Sequence, residues 1–287
     1  MQNDFLSIGA VERDSGIARD TLRVWERRYG FPLPTRNDKG ERIYPLEQLR
    51  RLQRIRRLLD QGLRPGKVVA LTDPDLEQLE ADLYPDHKAD DAIEHLISVL
   101  QSEDAVKLDS ELSISYQQQG METFITKTVI PMLRTVGERW AIGRLEIYEE
   151  HLLSEVLTRF LNSEIYLLQK TAKKPRVVLA TLPGEEHTLG LLMVSALLSS
   201  RNISVVNLGA EVPLDQLISA VDRYEADILG VTFSAAYQYE NIRSDINELR
   251  DSIPEGVDIW MGGEAVKRMR KIPLGVTKFT SMDKLPF

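Results

Sequence analysis

The sequence predicts a multidomain α and α/β protein in three successive parts: a small basic helical head with a hairpin, a four-helix bundle, and a doubly wound, Rossmann-like parallel sheet. Three observations predict it. The first 72 residues carry 15 Lys and Arg against 9 Asp and Glu, whereas the remainder carries 21 against 35, so a net charge of +6 is followed by one of −14. Apolar residues recur at helical spacing between Asp90 and Gln169. From Pro175 onward, short β-branched runs alternate with helical stretches. The length of 287 residues suits about two or three domains. No stretch approaches the roughly 18 apolar residues of a membrane span. Cysteine is absent, which excludes disulfides, thiol catalysis and thiolate metal sites, so any metal must be met by His or carboxylates. The opening MQNDFLSIGAVERD has acids where a secretory leader carries bases, and the expected location is the cytoplasm.

Ser7 precedes Ile8 and Val11, and Gly16 follows, which predicts a short capped helix. Ala18 to Tyr29 is a second helix, with Leu22, Trp25 and Tyr29 on one face and Arg19, Arg23, Arg27 and Arg28 on the others. Phe31 to Pro45 reads as two short extended runs around an Asp38-Lys39-Gly40 turn, a hairpin wing. In Leu46 to Leu59 an apolar stripe of Leu49, Leu52, Ile55, Leu58 and Leu59 leaves Arg50, Arg51, Arg54, Arg56 and Arg57 outside it. A basic module of this size suits a phosphate backbone, which the acidic remainder would repel.

The motif Thr21-Leu22-Arg23-x-Trp25-Glu26-Arg27-Arg28-Tyr29-Gly30, followed by Pro34-x-Arg36 and Gly40-x-Arg42-x-Tyr44, resembles the MerR-type winged helix-turn-helix. That resemblance covers about the first 70 residues. It implies a dimeric DNA-binding domain for residues 1–72, with the second helix in the major groove and the wing against the backbone. Thr21, Arg23, Arg27, Arg36, Arg42 and Tyr44 are then the expected contacts to double-stranded operator DNA, and Leu22, Trp25 and Ile43 belong to the core.

Residues 73–89 are acidic and interrupted by Asp73-Pro74-Asp75 and Tyr84-Pro85-Asp86, and read as a linker. The bundle is expected over residues 90–170. Within it, Trp140 precedes the pair Glu150-His151 by nine intervening residues. An aromatic plate, a carboxylate and an imidazole suit the capping of a flat ligand, although a Trp at a helix junction and an exposed Glu-His pair give the same spacing. His87 and His95 read as surface residues.

In residues 175–287, strands are expected over Arg176–Thr181, Ile203–Leu208, Ile228–Thr232 and Val257–Met261, with helices over Leu189–Leu198, Leu214–Tyr224 and Ile242–Ile253. Ligands on such sheets sit beyond the carboxyl ends of the strands. Glu185 and His187 lie there, two residues apart in a glycine-bounded loop, where a carboxylate can hold one ring nitrogen and turn the other toward a metal; a lone loop His is more often simply solvated.

Glu185-x-His187-x-x-Gly190, then Thr232-x-Ser234, then Gly262-Gly263 resemble the cobalamin-binding domain, whose usual pattern is Asp-x-His-x-x-Gly, Ser-x-Leu and Gly-Gly. The departures, Glu at 185 and Thr-Phe-Ser at 232–234, keep a carboxylate and hydroxyls. The resemblance implies His187 on cobalt, Glu185 behind it, and the displaced nucleotide tail in a slot past Gly190, Thr232, Ser234, Gly262 and Gly263. With the MerR-like head and the Trp-x9-Glu-His bundle, the order of parts resembles the CarH/LitR group of light-responsive transcriptional regulators. This implies a non-enzymatic repressor with adenosylcobalamin as cofactor, capped by Trp140, Glu150 and His151. It also implies a homo-oligomer, dimer or tetramer, that holds DNA in the dark and comes apart in light. A light-state member of that group can present a His directly after the capping Trp, whereas this chain has Ala141, so either His151 or water fills the vacated cobalt position or the light response differs. Two other readings share parts of the pattern: a corrinoid methyltransferase subunit, and a regulator whose last domain holds another tetrapyrrole or a protein partner.

Overall fold

The computed structural model describes residues 5–37, 39–60, 63–83, 89–102, 104–234, 237 and 239–286. The chain forms two compact units, Met1–Ala89 with Thr135–Ile147, and Asp90–Arg134 with Tyr148–Phe287.

In the first unit, β1 (Phe5–Ser7) leads into α1 (Ile8–Ser15). The Ser7 hydroxyl accepts the Ala10 N–H at 3.3 Å, and Gly16 ends the helix at φ 67°, a conformation that favours glycine. The helix α2 (Arg19–Tyr29) ends in the same way at Gly30, φ 70°. The wing is β2 (Thr35–Arg36) paired antiparallel with β3 (Arg42–Pro45), and β1 adds to its far side in the order β1-β3-β2. The expected turn residue Asp38 lies outside the described residues; beside it, the Asn37 side chain accepts the N–H groups of Lys39 and Glu41 at 3.0 and 2.9 Å. Three helices follow, α3 (Leu46–Asp60), α4 (Pro65–Val68) and α5 (Asp73–Leu83). Val11, Leu22, Trp25, Leu52, Ile55, Leu58 and Leu76 meet in one core.

Two expectations are corrected here. Residues 73–83 are helix rather than linker, because Pro74 sits in a first turn, where its missing N–H costs nothing, and Leu76 is fully buried. Tyr84, Pro85, Asp86 and His87 lie outside the described residues. The arginines of α3 are not a free basic face. Arg54 forms two hydrogen bonds to the buried Glu80 of α5, at 3.1 and 2.7 Å. Arg51 bonds the Leu71 carbonyl and lies 4.3 Å from the Phe31 ring centroid, and Arg57 is buried.

The second unit opens with α6 (Asp91–Gln101) and α7 (Ala105–Thr123). Gly120 breaks the helical path at φ 72°, ψ 164°, and one π-helical stretch, Phe124–Val129, passes into α8 (Ile130–Ala141). The last bundle helix is α9 (Ile147–Leu168). Phe124, Tyr116 and Phe160 form an aromatic cluster with centroids 5.4 to 5.8 Å apart. Five parallel strands follow: β4 (Lys173–Ala180), β5 (Ile203–Asn207), β6 (Ile228–Thr232), β7 (Asp258–Gly262) and β8 (Val276–Lys278). Their order is β5-β4-β6-β7-β8, with α10 (Leu189–Ser200), α11 (Leu214–Arg223) and α12 (Tyr239–Ser252) as crossovers. Val177 to Ala180 are buried in succession, as a strand covered on both faces requires. The chain leaves β4 for β5 on one side and returns to β6 on the other, so the loops after β4 and β6 part there and open a crevice.

Arg54→Met strands the buried Glu80 carboxylate and should lower the stability of the head by about 3 kcal/mol, with most of the loss recovered by adding Glu80→Leu. Urea unfolding followed by circular dichroism measures both.

Candidate cofactor site and nucleic-acid interface

The loop after β4 is built to present one imidazole. Thr181, fully buried, donates its hydroxyl proton to the Glu185 carbonyl and accepts the Glu211 N–H at 2.9 Å. Gly184, at φ 85°, donates its N–H to Glu211 Oε1 at 3.2 Å, so the loops after β4 and β5 are tied together. These bonds hold Glu185, only 1% exposed, beneath His187. Glu185 Oε1 accepts the His187 backbone N–H at 3.0 Å and lies 2.6 Å from His187 Nδ1. Its Oε2 accepts the Ser234 N–H at 2.6 Å, from the loop after β6, and Ser234 Oγ is 3.2 Å from Nδ1.

Burial pushes the Glu185 carboxyl up, but the hydrogen bonds from His187 and Ser234 together outweigh it and hold the group below the usual carboxylate range. The Glu185 hydrogen bond raises the His187 imidazole against the opposing effect of burial, helped by the charges of Glu186 and Glu150. With Nδ1 committed to the carboxylate, Nε2 of this largely exposed ring remains for a ligand.

His187 lines a cavity of about 650 Å³, the size of a cofactor pocket. Gly190, Thr232, Ser234, Gly262 and Gly263 line it too, so the crevice gathers the motif residues of the sheet domain except the buried Glu185. The two glycines of the pair differ. A Cβ at Gly263, which has φ 104°, would stand 2.2 Å from the Phe233 carbonyl oxygen, so this glycine is required by the packing of two loops. A Cβ at Gly262 meets nothing closer than 3.8 Å, leaving that wall open for a ligand to approach. Thr126, Lys127 and Ile130, from the π-helical stretch and α8, complete the lining. Sequence reasoning missed them; the only local signal nearby is Gly120, where the helical path breaks shortly before the π-helical stretch.

A fixed imidazole above a deep, mostly apolar slot fits a metal that brings its own equatorial ligands together with a long organic arm. Among the described residues no group of three or more His, Asp or Glu forms a cage for a bare ion. Of the expected cap, Glu150 accepts the Ser154 hydroxyl at 2.8 Å and acts electrostatically on His187, while His151 Nδ1 lies 3.5 Å from Glu150 Oε2 and is exposed. Trp140 belongs to the first unit, where the Arg57 guanidinium stands 5.4 Å from its ring centroid. His95 is at the surface, 3.6 Å from Glu111.

In the head, Arg23 and Arg27 project from α2 and Arg36 from the wing, all exposed, whereas Thr21 and Arg42 are half-buried. Arg36 donates to the Gly40 carbonyl at 2.5 Å. Tyr44 corrects the expectation. It is fully buried, its hydroxyl donates to Glu26 Oε1 at 2.6 Å, and burial with that contact pushes its ionisation far up, so it joins wing to helix and meets no phosphate. Arg42 Nε reaches Glu26 Oε2 at 3.3 Å. Glu26 is thus the polar hinge of the interface, an acid in a basic helix that the charge pattern conceals.

Comparison with known proteins matches residues 6–73 to the MerR HTH family regulatory proteins, and residues 175–272 and 86–163 to two B12 binding domain families. The HTH-type transcriptional repressor CarH of Myxococcus xanthus is 29% identical, over 88% of this chain and 87% of its own. CarA of the same organism, also an HTH-type transcriptional repressor, is 28% identical over 85% and 81%. The monomethylamine corrinoid protein of Methanosarcina barkeri shares the fold over 66% of this chain and 92% of its own, with a TM-score of 0.53 at 14% identity. Among the described residues no helix is long and apolar enough to cross a membrane.

The raised His187 contributes stability in full below the unfolded imidazole pKa, and loses it as pH rises through the folded value; the depressed Glu185 contributes above its unfolded pKa and loses it on acidification. Glu185→Gln should therefore lower the melting temperature of the cofactor-free chain more at about pH 6 than at about pH 8.5, measured by calorimetry. Gly263→Ala should destabilise by about 2 kcal/mol and Gly262→Ala by less than about 0.5 kcal/mol, by chemical unfolding.

Proposed function

We propose that the chain is a MerR-family transcriptional regulator of the CarH type with cobalamin-binding domains, a light-responsive repressor that uses adenosylcobalamin to control its assembly on operator DNA. The observation that carries this is the His187 ring, held at 2.6 Å by the buried Glu185 carboxylate at the edge of a 650 Å³ slot. In the proposed complex, Glu185 keeps the proton on Nδ1 and His187 offers Nε2 to cobalt. Gly190, Thr232, Ser234, Gly262 and Gly263 take the nucleotide tail, and Gly262 lets it approach the backbone. Trp140, Glu150 and His151 would cover the upper group, and with Ala141 at the next position His151 is the side chain of this cap that would be available to the cobalt. When bound, the cofactor supplies a cobalt–carbon bond that light breaks.

On the DNA side, Thr21, Arg23 and Arg27 enter the major groove, while Arg36 and Arg42 meet the backbone from the wing. The head comprises residues 1–72 together with α5, the cap residues 90–170 and the cofactor domain residues 175–287. Two or more copies hold DNA in the dark in the cytoplasm, and loss of the upper group shifts the equilibrium away from that assembly.

Loading the purified chain with adenosylcobalamin in darkness should give a corrinoid spectrum that changes under green light, with a fall in molecular size and in DNA affinity. His187→Ala should retain cobalamin more than about tenfold less tightly. A colourless preparation, or a variant that keeps full pigment, would overturn the reading.

A further inference from the structure

We propose that Arg57 of α3 is a positioning residue for Trp140, and that this pair transmits the state of the cofactor cap to the DNA-contacting wing and helix. The proposal rests on the cobalamin reading above and adds the physical link that it lacks.

The first observation is the contact itself. Arg57 is 8% exposed, and its guanidinium lies 5.4 Å from the Trp140 ring centroid. The second is the turn after Trp140. Gly143, at φ 70°, donates its N–H to the Trp140 carbonyl at 3.0 Å, and a Cβ on it would stand 2.8 Å from an Arg57 terminal nitrogen, so the chain is shaped around the guanidinium. The third is charge. Arg54, one turn earlier, is neutralised by Glu80 at 2.7 Å, but among the described residues Arg57 forms no hydrogen bond or ion pair. Burial disfavours its charged form, and only the more distant Glu146 and Glu80 offset this.

A buried cation without a carboxylate is costly and depends on what its surroundings offer. Here the negative face of the indole supplies part of that compensation. Moving Trp140 therefore changes the free energy of Arg57, and with it the preferred position of α3. That helix begins at Leu46, directly after β3, whose Arg42 and Tyr44 both bond Glu26 of α2. Trp140, Arg57, α3, the wing and α2 are thus contiguous within one compact unit. On this assignment Trp140 anchors the head, so a displacement of its ring is felt at the wing.

The test uses the full chain loaded with adenosylcobalamin, and a duplex selected by the dark wild type from a random-sequence pool. Arg57→Met should keep the dark corrinoid spectrum and the circular dichroism of the wild type, while the dark-to-lit ratio of DNA affinities falls about tenfold toward one. Arg57→Lys, which keeps the charge without the planar face, should restore part of the ratio and carries the test should the Met variant fail to fold. In the cofactor-free chain, the losses in thermal stability from Arg57→Met and Trp140→Leu should be non-additive. A variant with the wild-type ratio, or an additive cycle, overturns the link. A wild type without any dark-to-lit difference overturns the light reading instead, and the cycle still decides whether the pair is coupled.

Discussion

The candidate cofactor site depends on one buried carboxylate. Glu185 is almost fully removed from water, yet hydrogen bonds from His187 and from Ser234 keep it ionised, so that a single side chain clamps two loops that the sheet topology would otherwise send apart. Desolvation makes that clamp strong rather than weak, because a carboxylate in such surroundings cannot exchange its partners for water without cost. The loop tied by Thr181 and Glu211 supplies the rigidity beneath it. An imidazole fixed in this way is a ligand of defined tautomer and direction, which suits a metal whose remaining coordination is already filled.

The same device recurs in the head with another acid. Glu26 receives Tyr44 at 2.6 Å and Arg42 at 3.3 Å, fixing the wing against the helix that would enter the groove. Glu80 performs a comparable task for Arg54. In both places an acid inside a basic domain converts part of a favourable long-range charge into local order. Arg57 is the exception on this surface, buried beside a ring instead of a carboxylate, and for that reason its energy is the one most sensitive to a neighbour that moves.

Much of this was legible in the sequence wherever a local pattern and a local stop coincided. Ser7 and Gly16 bounded α1, Gly30 ended α2, and the run Ile228–Thr232 is a strand with the same limits in both readings. The residues proposed for the cofactor were legible as a family motif at the ends of β4, β6 and β7, where the structure gathers all but Glu185 around one crevice. What escaped was non-local. The strands β1 and β8 have three residues each and exist through their partners, too short to show a period of their own. Asp73-Pro74 looked like a break when it is a helix start, and the alternation around Tyr44 did not say which face of the wing is inward. The cap helix α8 shows the limit most clearly, since its periodicity belongs to a bundle while its end at Trp140 groups with the head.

Charge accounting gives the head a further constraint. The net +6 of residues 1–72 overstates what a duplex can meet, because Arg54 is spent on Glu80, Arg51 on Asp73 and the Phe31 ring, and Arg57 on an indole. The affinity of a single head for DNA grows with the number of phosphates its remaining cations neutralise and is salt-sensitive. Joining heads multiplies affinity through effective concentration without adding a contact. For a regulator of this construction, controlling how many heads are presented together is therefore a more powerful lever on DNA occupancy than adjusting any one side chain in the groove.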